Sequence, residues 1–410
     1  MNADFKKLMS ARFLFTFAVQ MQAVVLGWRM YELTKNPLFL GLIGLVEAIP
    51  ALSLALYAGL LVDRGRPLWI YRAVVAASFI SGLVLLISQF ERSLLNESQQ
   101  VLALFLSSLI TGIARGFSQP SVFAIVPRIV PRAELQKASA WMSSAMQVAR
   151  IGGPAAGGII FGWFGMITTA ALICLFLILA QVALALISTA RIPRSAPLKK
   201  NSLKEDLLSG ASFVFRHPIL FPALTLDMVS VLFGGVTALL PIYAAEILHV
   251  GPKGVGLLRG APAVGAALTS LWLTRLDVRE KAGPWLFTAV TGFGACILIF
   301  AISQNFWLSA VALGLSGAFD SVSMVIRTAA VQLASPDSMR GRISAVNSMF
   351  IGSSNELGEF ESGIAAKALG TVPSAIFGGL ICLLTVGVVA WRFPTLRRLN
   401  LKELEAQHLN

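Results

Sequence analysis

The chain has 410 residues, of which 56% are hydrophobic and 13% are charged. Soluble domains average about 45–50% apolar and about 25% charged residues, so this composition excludes a chain of two or three soluble domains. The net charge of +13 is distributed in short basic clusters between apolar segments. That distribution is typical of membrane topology signals, and no nucleic-acid partner is expected.

Apolar runs of about 20 residues, each long enough to cross a hydrocarbon layer about 30 Å thick, recur along the whole chain. They predict an all-α membrane protein. The twelve predicted transmembrane helices cover residues 8–33, 38–61, 70–90, 101–126, 134–163, 167–189, 219–247, 252–275, 282–303, 305–331, 340–368 and 371–393.

Most of the 33 Lys and Arg residues fall in the termini and in the even-numbered loops between these helices. Positively charged segments of this kind remain in the cytoplasm. An even number of spans places both termini on the same side of the membrane. The basic residues predict that this side is the cytoplasmic one.

One connection between spans is longer than the others. Residues 190–218 begin with a proline-containing linker and continue as SLKEDLLSGASFVF, with apolar residues near helical spacing and charges on another face. This pattern predicts a short amphipathic helix on the cytoplasmic membrane surface. The predicted domains are an N-terminal six-helix bundle at 1–190, a linker at 191–218, a C-terminal six-helix bundle at 219–393 and a cytoplasmic tail at 394–410.

The two halves also resemble each other. Residues 112–165 align without gaps on residues 317–370, with Gly112 on Gly317. The other matched positions are Pro131 with Pro336, Gly153 with Gly358, Gly158 with Gly363, Gly165 with Gly370 and, further upstream, Pro50 with Pro262. Repeated halves around a linker are typical of secondary transporters, which bind substrate at the repeat interface. The two bundles are therefore expected to be pseudo-symmetric.

The loop after the second predicted span reads GLLVDRGRPLWIYR and begins at Gly59. A glycine lets helices approach closely, and Asp63, Arg64 and Arg66 can pair with charged groups or lipid phosphates. The pattern resembles the loop motif G-x-L-x-D-R-x-G-R of the major facilitator superfamily, with Gly65 displaced by one position. The resemblance implies that Gly59, Asp63, Arg64 and Arg66 form a cytoplasmic latch that controls conformational switching.

The fifth predicted span contains ARIGGPAAGGIIFG. Gly153, Pro154, Gly157 and Gly158 match the G-P-x-x-G-G core of the antiporter motif of exporters in this superfamily, although Ala149 replaces a favoured glycine. Proline removes a backbone donor and bends the helix, while the glycines permit tight contact with a neighbour. The resemblance implies that this bend shapes the transport cavity and limits leak.

Residues 118–158 and 339–363 resemble the branch of the superfamily that contains the enterobactin exporter and macrolide-efflux proteins. The resemblance implies two six-helix bundles that alternate access to a midplane site, and export of an amphipathic small molecule. It further implies a monomer surrounded by lipid in the bacterial inner membrane. The proton gradient is the expected driving force, with no cofactor and no metal.

Three carboxylates interrupt the predicted eleventh span in the sequence SSNELGEFESG. Ionised acids facing lipid are costly, so the helix face that carries Glu356 and Glu359 is expected to face the bundle interior or an aqueous cavity. Because the two acids repel each other, a proton on one of them is favoured. Glu359 and Glu356 are predicted to couple transport to protons, together with the intramembrane acids Asp320 and Glu47.

Five polar residues within the predicted spans are candidates for substrate contact. They are Gln20, Arg115, Arg150, Asp227 and Asn355. Arg115 and Asp320 occupy equivalent repeat positions with opposite charge, and so do Glu47 and Arg259. For Arg115, Asp320 and Glu47 the alternative role is a buried ion pair that fixes helix register or locks one conformation.

The predicted function is therefore proton-coupled export of a siderophore or drug. The transport alternatives are a lipid or lysolipid flippase and a facilitator-type metabolite or metal transporter. A membrane receptor or scaffold is the non-transport alternative, although the short outer loops argue against it. An enzyme is not expected, because the sequence shows no nucleophile–base pair, metal-ligand cluster or phosphate-binding loop.

Overall fold

The computed structural model of the chain describes residues 2–90, 95–188, 203–336 and 339–409. These residues are predominantly helical and include no β-strand. The α-helices are α1 (Ala3–Thr34), α2 (Pro37–Arg64), α3 (Pro67–Phe90), α4 (Glu97–Ile129), α5 (Leu135–Ala185), α6 (Leu203–Arg216), α7 (Leu220–Gly234), α8 (Leu240–Ile242), α9 (Gly251–Leu273), α10 (Ala282–Ile302), α11 (Phe306–Ala334), α12 (Arg340–Leu369), α13 (Thr371–Arg392), α14 (Pro394–Arg397) and α15 (Leu401–Leu409).

Two glycines at equivalent repeat positions create equivalent breaks. Gly165 interrupts α5 with φ 79°, and Gly370 separates α12 from α13 with φ 95°. Both values lie in the region that glycine adopts without steric cost. The predicted spans 134–163 and 167–189 are therefore the two segments of α5.

Ten helical stretches in the described part of the chain are long and apolar enough to cross a membrane. One of them, Arg132–Ala185, contains the break at Gly165 and supplies two spans. The 30-residue α12 has the length of a span but is more polar, since it carries the three carboxylates of SSNELGEFESG. These helices confirm the predicted all-α membrane architecture.

The described helices form two compact units. The first contains α1 to α5 together with residues Leu240–Gly260, although those residues belong to the second half of the sequence. Within this unit α1 packs along α5, while α4 packs on α2 and α3. Asparagine side chains at Asn2, Asn36 and Asn96 accept backbone hydrogen bonds at the starts of α1, α2 and α4, which fixes where these helices begin.

The second unit contains α6, α7 and the chain from Ala261 onward. Within it α10 packs on α11 and α13, and α7 packs on α12 and α13. The predicted amphipathic linker helix is α6, which packs against α12. Residues 189–202 lie outside the described residues, and the domain limits proposed from the sequence stay a prediction.

The segment predicted as a cytoplasmic tail packs on the second unit. Leu396, Leu399 and Leu401 belong to the same apolar core as α10 and α11. The Lys402 ammonium lies 3.0 Å from Asp277 and 2.8 Å from Glu280 in the connection between α9 and α10. α14 and α15 are thus part of the folded unit.

Matched glycines make matched contacts in the two halves. A Cβ on Gly112 would meet Pro50 of α2 at 2.8 Å, and a Cβ on Gly317 would collide with Pro262 of α9. A Cβ on Gly358 of α12 would lie 2.9 Å from backbone oxygens of α7. A Cβ on its counterpart, Gly153 of α5, would lie 2.9 Å from a backbone oxygen of α1. The internal repeat seen in the sequence is therefore a repeat of helix-packing contacts.

Candidate functional site

The predicted latch lies at the turn from α2 into α3. α2 ends at Arg64, α3 begins at Pro67, and Arg66 is exposed between them. At Gly59 no described atom lies within 4 Å of the position that a Cβ would take, so the described residues show no close helix approach there. The side chains of Asp63 and Arg64 lie outside the described residues, and the latch role stays a prediction.

The predicted antiporter motif forms the contact surface of α5. A Cβ on Gly153 or on Gly157 would lie 2.9 Å from backbone atoms of α1, so only glycine permits this approach. A Cβ on Gly158 would lie 2.7 Å from the Cα of Gly256 in α9. Pro154 is buried among these glycines. The motif therefore holds α5 against two helices at once.

Residues Leu240–Gly260 also contact α1 and α5 through side chains. The Tyr31 hydroxyl of α1 donates a hydrogen bond to Glu246. The Lys253 ammonium lies 5.1 Å from the ring centre of Trp163 in α5, which is a cation–π distance. These contacts join two parts of the chain that are far apart in sequence, and no sequence pattern predicted them.

The two glutamines of α1 have different surroundings. Gln20 is half-buried where α1 faces α5. Gln22 is 1% exposed, and its amide nitrogen is 2.7 Å from Ser81, 3.0 Å from Ser107 and 3.1 Å from Thr111. Gln22 therefore joins α1, α3 and α4, while Gln20 remains the candidate for substrate contact.

In the first unit Arg115 of α4 forms an ion pair with Glu47 of α2. The Arg115 side chain remains 41% exposed, whereas that of Glu47 is 16% exposed. The two residues were predicted separately, with a buried ion pair as the alternative role. The structure brings them together as an ion pair.

Two more guanidinium groups lie near this pair. Arg12 of α1 is 8% exposed and donates hydrogen bonds to the neutral side chains of Ser118 and Gln119. Arg150 of α5 is exposed and lies within electrostatic range of both Arg12 and Arg115. The residues Arg12, Arg115 and Arg150, together with Glu47, are called the arginine cluster below.

The second unit holds a cluster in which acidic residues outnumber basic ones. Asp227 of α7 forms an ion pair with Arg327 of α11, and their side chains are 8% and 5% exposed. The Arg327 Nε also donates to Ser323 at 3.2 Å. Asp320, seven residues before Arg327 on the same helix, interacts electrostatically with both partners. We call Asp227, Asp320 and Arg327 the acidic cluster.

A small cavity opens between the two acids of this cluster. About 10 Å³ of it is accessible to the centre of a water molecule, which is room for about one water. The lining residues are Asp227, Ser230, Val231, Ala289, Val290, Phe293, Asp320 and Ser323. With two carboxylates and one guanidinium, the cluster has a net negative charge when both acids are ionised, and a proton would neutralise it.

The predicted acids of α12 are not part of this cavity's lining. Glu356 and Glu359 are half-buried, and neither is without an interaction partner. Asn355 is exposed, and its amide donates to the Ile351 carbonyl at 2.7 Å. The coupling role of these glutamates stays a prediction.

Sequence reasoning predicted Asp227 and Asp320 as functional residues. It missed that Asp227 pairs with Arg327, and it missed Arg12 altogether. A seven-residue spacing places two residues on one side of a helix but does not identify the facing helix. Arg12 lies near the start of an apolar run, where a basic residue resembles a topology signal.

Known proteins with sequences similar to this chain are membrane transporters, in agreement with this architecture. The sequence model of the transmembrane secretion effector family matches residues 1–409. Among curated proteins, the enterobactin exporter EntS of Citrobacter koseri is 23% identical over 83% of this chain and 80% of its own length. The EntS proteins of Shigella boydii and Escherichia coli O1:K1 are each 24% identical, with the same coverage.

Solved transporters share the fold at low sequence identity. A peptide-transporter (POT) family protein with a thioalcohol-conjugated peptide aligns with a TM-score of 0.76 at 12% identity, over 96% of both chains. A bacterial homologue of the iron transporter ferroportin aligns with a TM-score of 0.72 at 16% identity, over 96% of this chain and 98% of its own. The nucleoside transporter NupG aligns with a TM-score of 0.70 at 14% identity, over 97% and 99% of the two chains. The chain therefore belongs to the transmembrane secretion effector family of the major facilitator superfamily and is a multi-pass membrane protein.

Proposed function

We propose that this protein is a proton-coupled exporter of an amphipathic small molecule such as a siderophore or a drug. It lies in the bacterial inner membrane as a lipid-surrounded monomer with both termini in the cytoplasm. Two six-helix bundles alternate access to the cargo, and inward proton movement drives outward cargo movement. The proton gradient is the driving force, and no cofactor takes part.

The observation that carries this proposal is the acidic cluster. Its ion pair is more than nine-tenths buried, and a second carboxylate shares a water-sized cavity with it. Intramembrane charges are expensive and are typical of proton and substrate pathways. Because one guanidinium cannot neutralise two carboxylates, the cluster takes up a proton at low energetic cost.

Proton uptake also has a mechanical consequence in this arrangement. The ion pair between Asp227 and Arg327 joins α7 to α11. Protonation of Asp227 removes the charge that attracts Arg327, while Asp320 is available as an alternative partner of the guanidinium. An exchange of partners of this kind couples proton binding to a change in the contact between two helices.

The remaining predicted residues have supporting roles in the proposal. Glu359 and Glu356 on α12 form a second proton-accepting pair. The candidates for cargo contact are Gln20, Arg115, Arg150 and Asn355. The glycines and proline of the antiporter motif keep α5 closely packed, and the loop from Gly59 to Arg66 acts as the latch.

Purified protein in liposomes with an internal pH dye tests the proposal. Enterobactin, named for the EntS relatives, is the first cargo. We expect cargo-dependent proton flux in the wild type, and at least tenfold less in Asp227→Asn and Asp320→Asn. Glu97→Gln, which removes an exposed acid at the start of α4, is the matched control and should retain full flux.

A second measurement distinguishes the role of the acidic cluster from the role of the glutamates on α12. Glu359→Gln should shift the pH dependence of cargo efflux, because the replacement carries no proton. Cargo movement that is unchanged when the proton gradient is collapsed contradicts the proposal and supports a facilitator. Full proton flux in both aspartate variants would exclude the acidic cluster as the coupling site.

A further inference from the structure

A surface groove lies in the second unit, where α6, α7 and α12 come together. Its volume is about 460 Å³, within the range of about 300–1,000 Å³ that is common for small-molecule sites. The lining residues are Ser209, Ser212, Phe213, Arg216, His217, Pro218 and Met339. The groove shares none of these residues with the cavity of the acidic cluster.

One face of α6 forms a wall of this groove. Ser209, Ser212 and Arg216 are three and four residues apart in turn, a spacing that places side chains on one side of an α-helix. Phe213, four residues after Ser209, adds an aromatic ring on the same side. This face of α6 therefore offers hydroxyl groups, a guanidinium and an apolar surface together.

Two donors in the groove have no partner in the described part of the chain. Arg216 is exposed, and among the described residues its guanidinium forms no hydrogen bond or ion pair. The His217 Nδ1 accepts the backbone N–H groups of Ile219 and Leu220. A neutral imidazole then carries its hydrogen on Nε2, so the start of α7 holds this second donor in place. None of the described residues that line the groove is acidic.

The position of the groove relative to the membrane indicates the source of its ligand. His217 and Pro218 directly precede Leu220–Ile247, a stretch long and apolar enough to cross a membrane. Met339 directly precedes α12, which has the length of a span. Residues at the end of an apolar span lie about 15 Å from the centre of the hydrocarbon layer, at the level of the lipid headgroups. Phospholipid phosphates are therefore abundant at the groove.

We propose that this groove binds the headgroup of an anionic phospholipid. The Arg216 guanidinium binds the phosphate through charge-assisted hydrogen bonds, and the Ser212 hydroxyl and the His217 Nε2–H donate to it as well. Phe213 and Met339 pack against the glycerol backbone and the first methylene groups of the acyl chains. Phosphatidylglycerol fits this lining, whereas the choline cation of phosphatidylcholine meets no carboxylate among the described lining residues. The bound lipid holds α6 at the membrane surface, and this role is independent of cargo and of proton coupling.

Competitive lipid binding to the full-length protein tests the proposal. The protein is placed in an uncharged detergent with equimolar dioleoyl-phosphatidylglycerol and dioleoyl-phosphatidylcholine, which differ only in the headgroup. Native mass spectrometry then identifies the lipids that each protein molecule retains. In the wild type, phosphatidylglycerol should exceed phosphatidylcholine about tenfold as the first bound lipid, the usual range for one charge-assisted hydrogen bond. Arg216→Gln should lower this ratio to about one.

Two variants complete the design. Arg216→Lys keeps the charge without the two-pronged geometry and should retain part of the preference. Lys281→Gln removes an exposed positive charge at the start of α10, outside the groove, and should retain the wild-type ratio. A melting curve for each variant verifies folding. The proposal is overturned by equal occupancy of the two lipids in the wild type, including none of either, by full preference in Arg216→Gln, or by the same loss in Lys281→Gln.

Inorganic phosphate distinguishes a lipid headgroup from a soluble anion. A ligand that binds only the folded state raises the melting temperature. Phosphatidylglycerol should raise that of the wild type by more than that of Arg216→Gln. Sodium phosphate should have no more effect than sodium chloride at the same ionic strength, because phosphate has no acyl chain to contact Phe213 and Met339. A rise with phosphate that is absent in Arg216→Gln would assign the groove to a soluble anion and overturn the lipid proposal.

Discussion

At the residue scale, the buried ion pair between Asp227 and Arg327 constrains the second unit. Taking two charges out of water is costly, and their attraction offsets that cost only while both are present. Removing Arg327 therefore strands two carboxylates in an apolar interior, whereas removing Asp227 leaves the guanidinium beside Asp320. The pair restricts the relative position of α7 and α11 for this reason.

A double-mutant cycle on the pair has a specific expected result. Arg327→Met should destabilise the protein by about 3–5 kcal/mol and Asp227→Ala by less, because Asp320 remains beside the guanidinium, and the double variant should recover part of the Arg327→Met loss. Thermal melting in detergent, with added denaturant where unfolding is reversible, measures the effect. Additive losses in the double variant would mean that the two side chains do not interact.

A second residue-scale prediction concerns His217, which lies between α6 and α7. Its Nδ1 accepts hydrogen bonds from the backbone N–H groups of Ile219 and Leu220, both at 3.2 Å. Burial lowers the pKa of His217 below its ordinary value of 6.5. Arg216 lines the same surface groove and adds a positive charge beside it.

The folded state thus binds fewer protons than the unfolded state just below pH 6.5. Stability from His217 is fully present above pH 6.5 and is lost as the pH falls toward its lowered pKa. The change should be below about 1 kcal/mol, because the side chain is half exposed. His217→Asn keeps a hydrogen-bond acceptor but does not titrate. Its melting temperature should therefore change less than that of the wild type between pH 7 and pH 5. An identical pH profile in wild type and variant would contradict this role.

At the element scale, the contact of α5 with α9 depends on the absence of a side chain at Gly158. An added Cβ would lie 2.6 Å from the Pro252 carbonyl oxygen and 2.7 Å from the Gly256 Cα. Both neighbours are backbone atoms, so relief requires movement of a whole helix. A Cβ at Gly387 in α13 would meet nothing within 4 Å.

These two glycines give a matched pair of substitutions. Gly158→Ala should lower the melting temperature by several degrees and reduce cargo efflux, since α5 and α9 must separate. Gly387→Ala should be neutral or slightly stabilising, because alanine favours helix by about 1 kcal/mol over glycine. Melting curves and liposome efflux on both variants measure the difference. Equal behaviour of the two would argue against close packing at the antiporter motif.

At the scale of the whole molecule, the C-terminal segment contributes to the stability of the unit that it contacts. Leu399 is 3% exposed, and its carbonyl accepts a hydrogen bond from Gly283 at 3.0 Å. The Leu401 N–H donates to the Arg279 carbonyl at 2.9 Å. Apolar burial and backbone pairing therefore hold α14 and α15 against the connection between α9 and α10.

Substitution in this segment separates apolar from ionic contributions. Leu399→Ala should destabilise the protein by about 2–5 kcal/mol, as expected for a truncated core leucine. Lys402→Ala should have little effect, because solvent-exposed ion pairs contribute little. Melting temperatures in detergent test both. A larger loss in Lys402→Ala than in Leu399→Ala would mean that charge, rather than apolar burial, holds the segment in place.

The sequence alone determined the fold class and the internal repeat, whereas the count of twelve spans stays a prediction. These features depend on local properties: apolar length, the positions of basic residues, and glycines and prolines that recur at Gly112, Gly165, Gly317 and Gly370. It also identified Asp227, Asp320, Glu47 and Arg115 as unusual, because any charge within an apolar run requires a partner.

Only the tertiary structure decided which partners those charges have. Helical periodicity places Asp320 and Arg327 on one face, but the choice of Asp227 as partner depends on how α7 packs against α11. In the same way, three arginines from α1, α4 and α5 become one cluster only when those helices pack together. Contacts between residues far apart in sequence follow from the packing of whole helices, which no local pattern encodes.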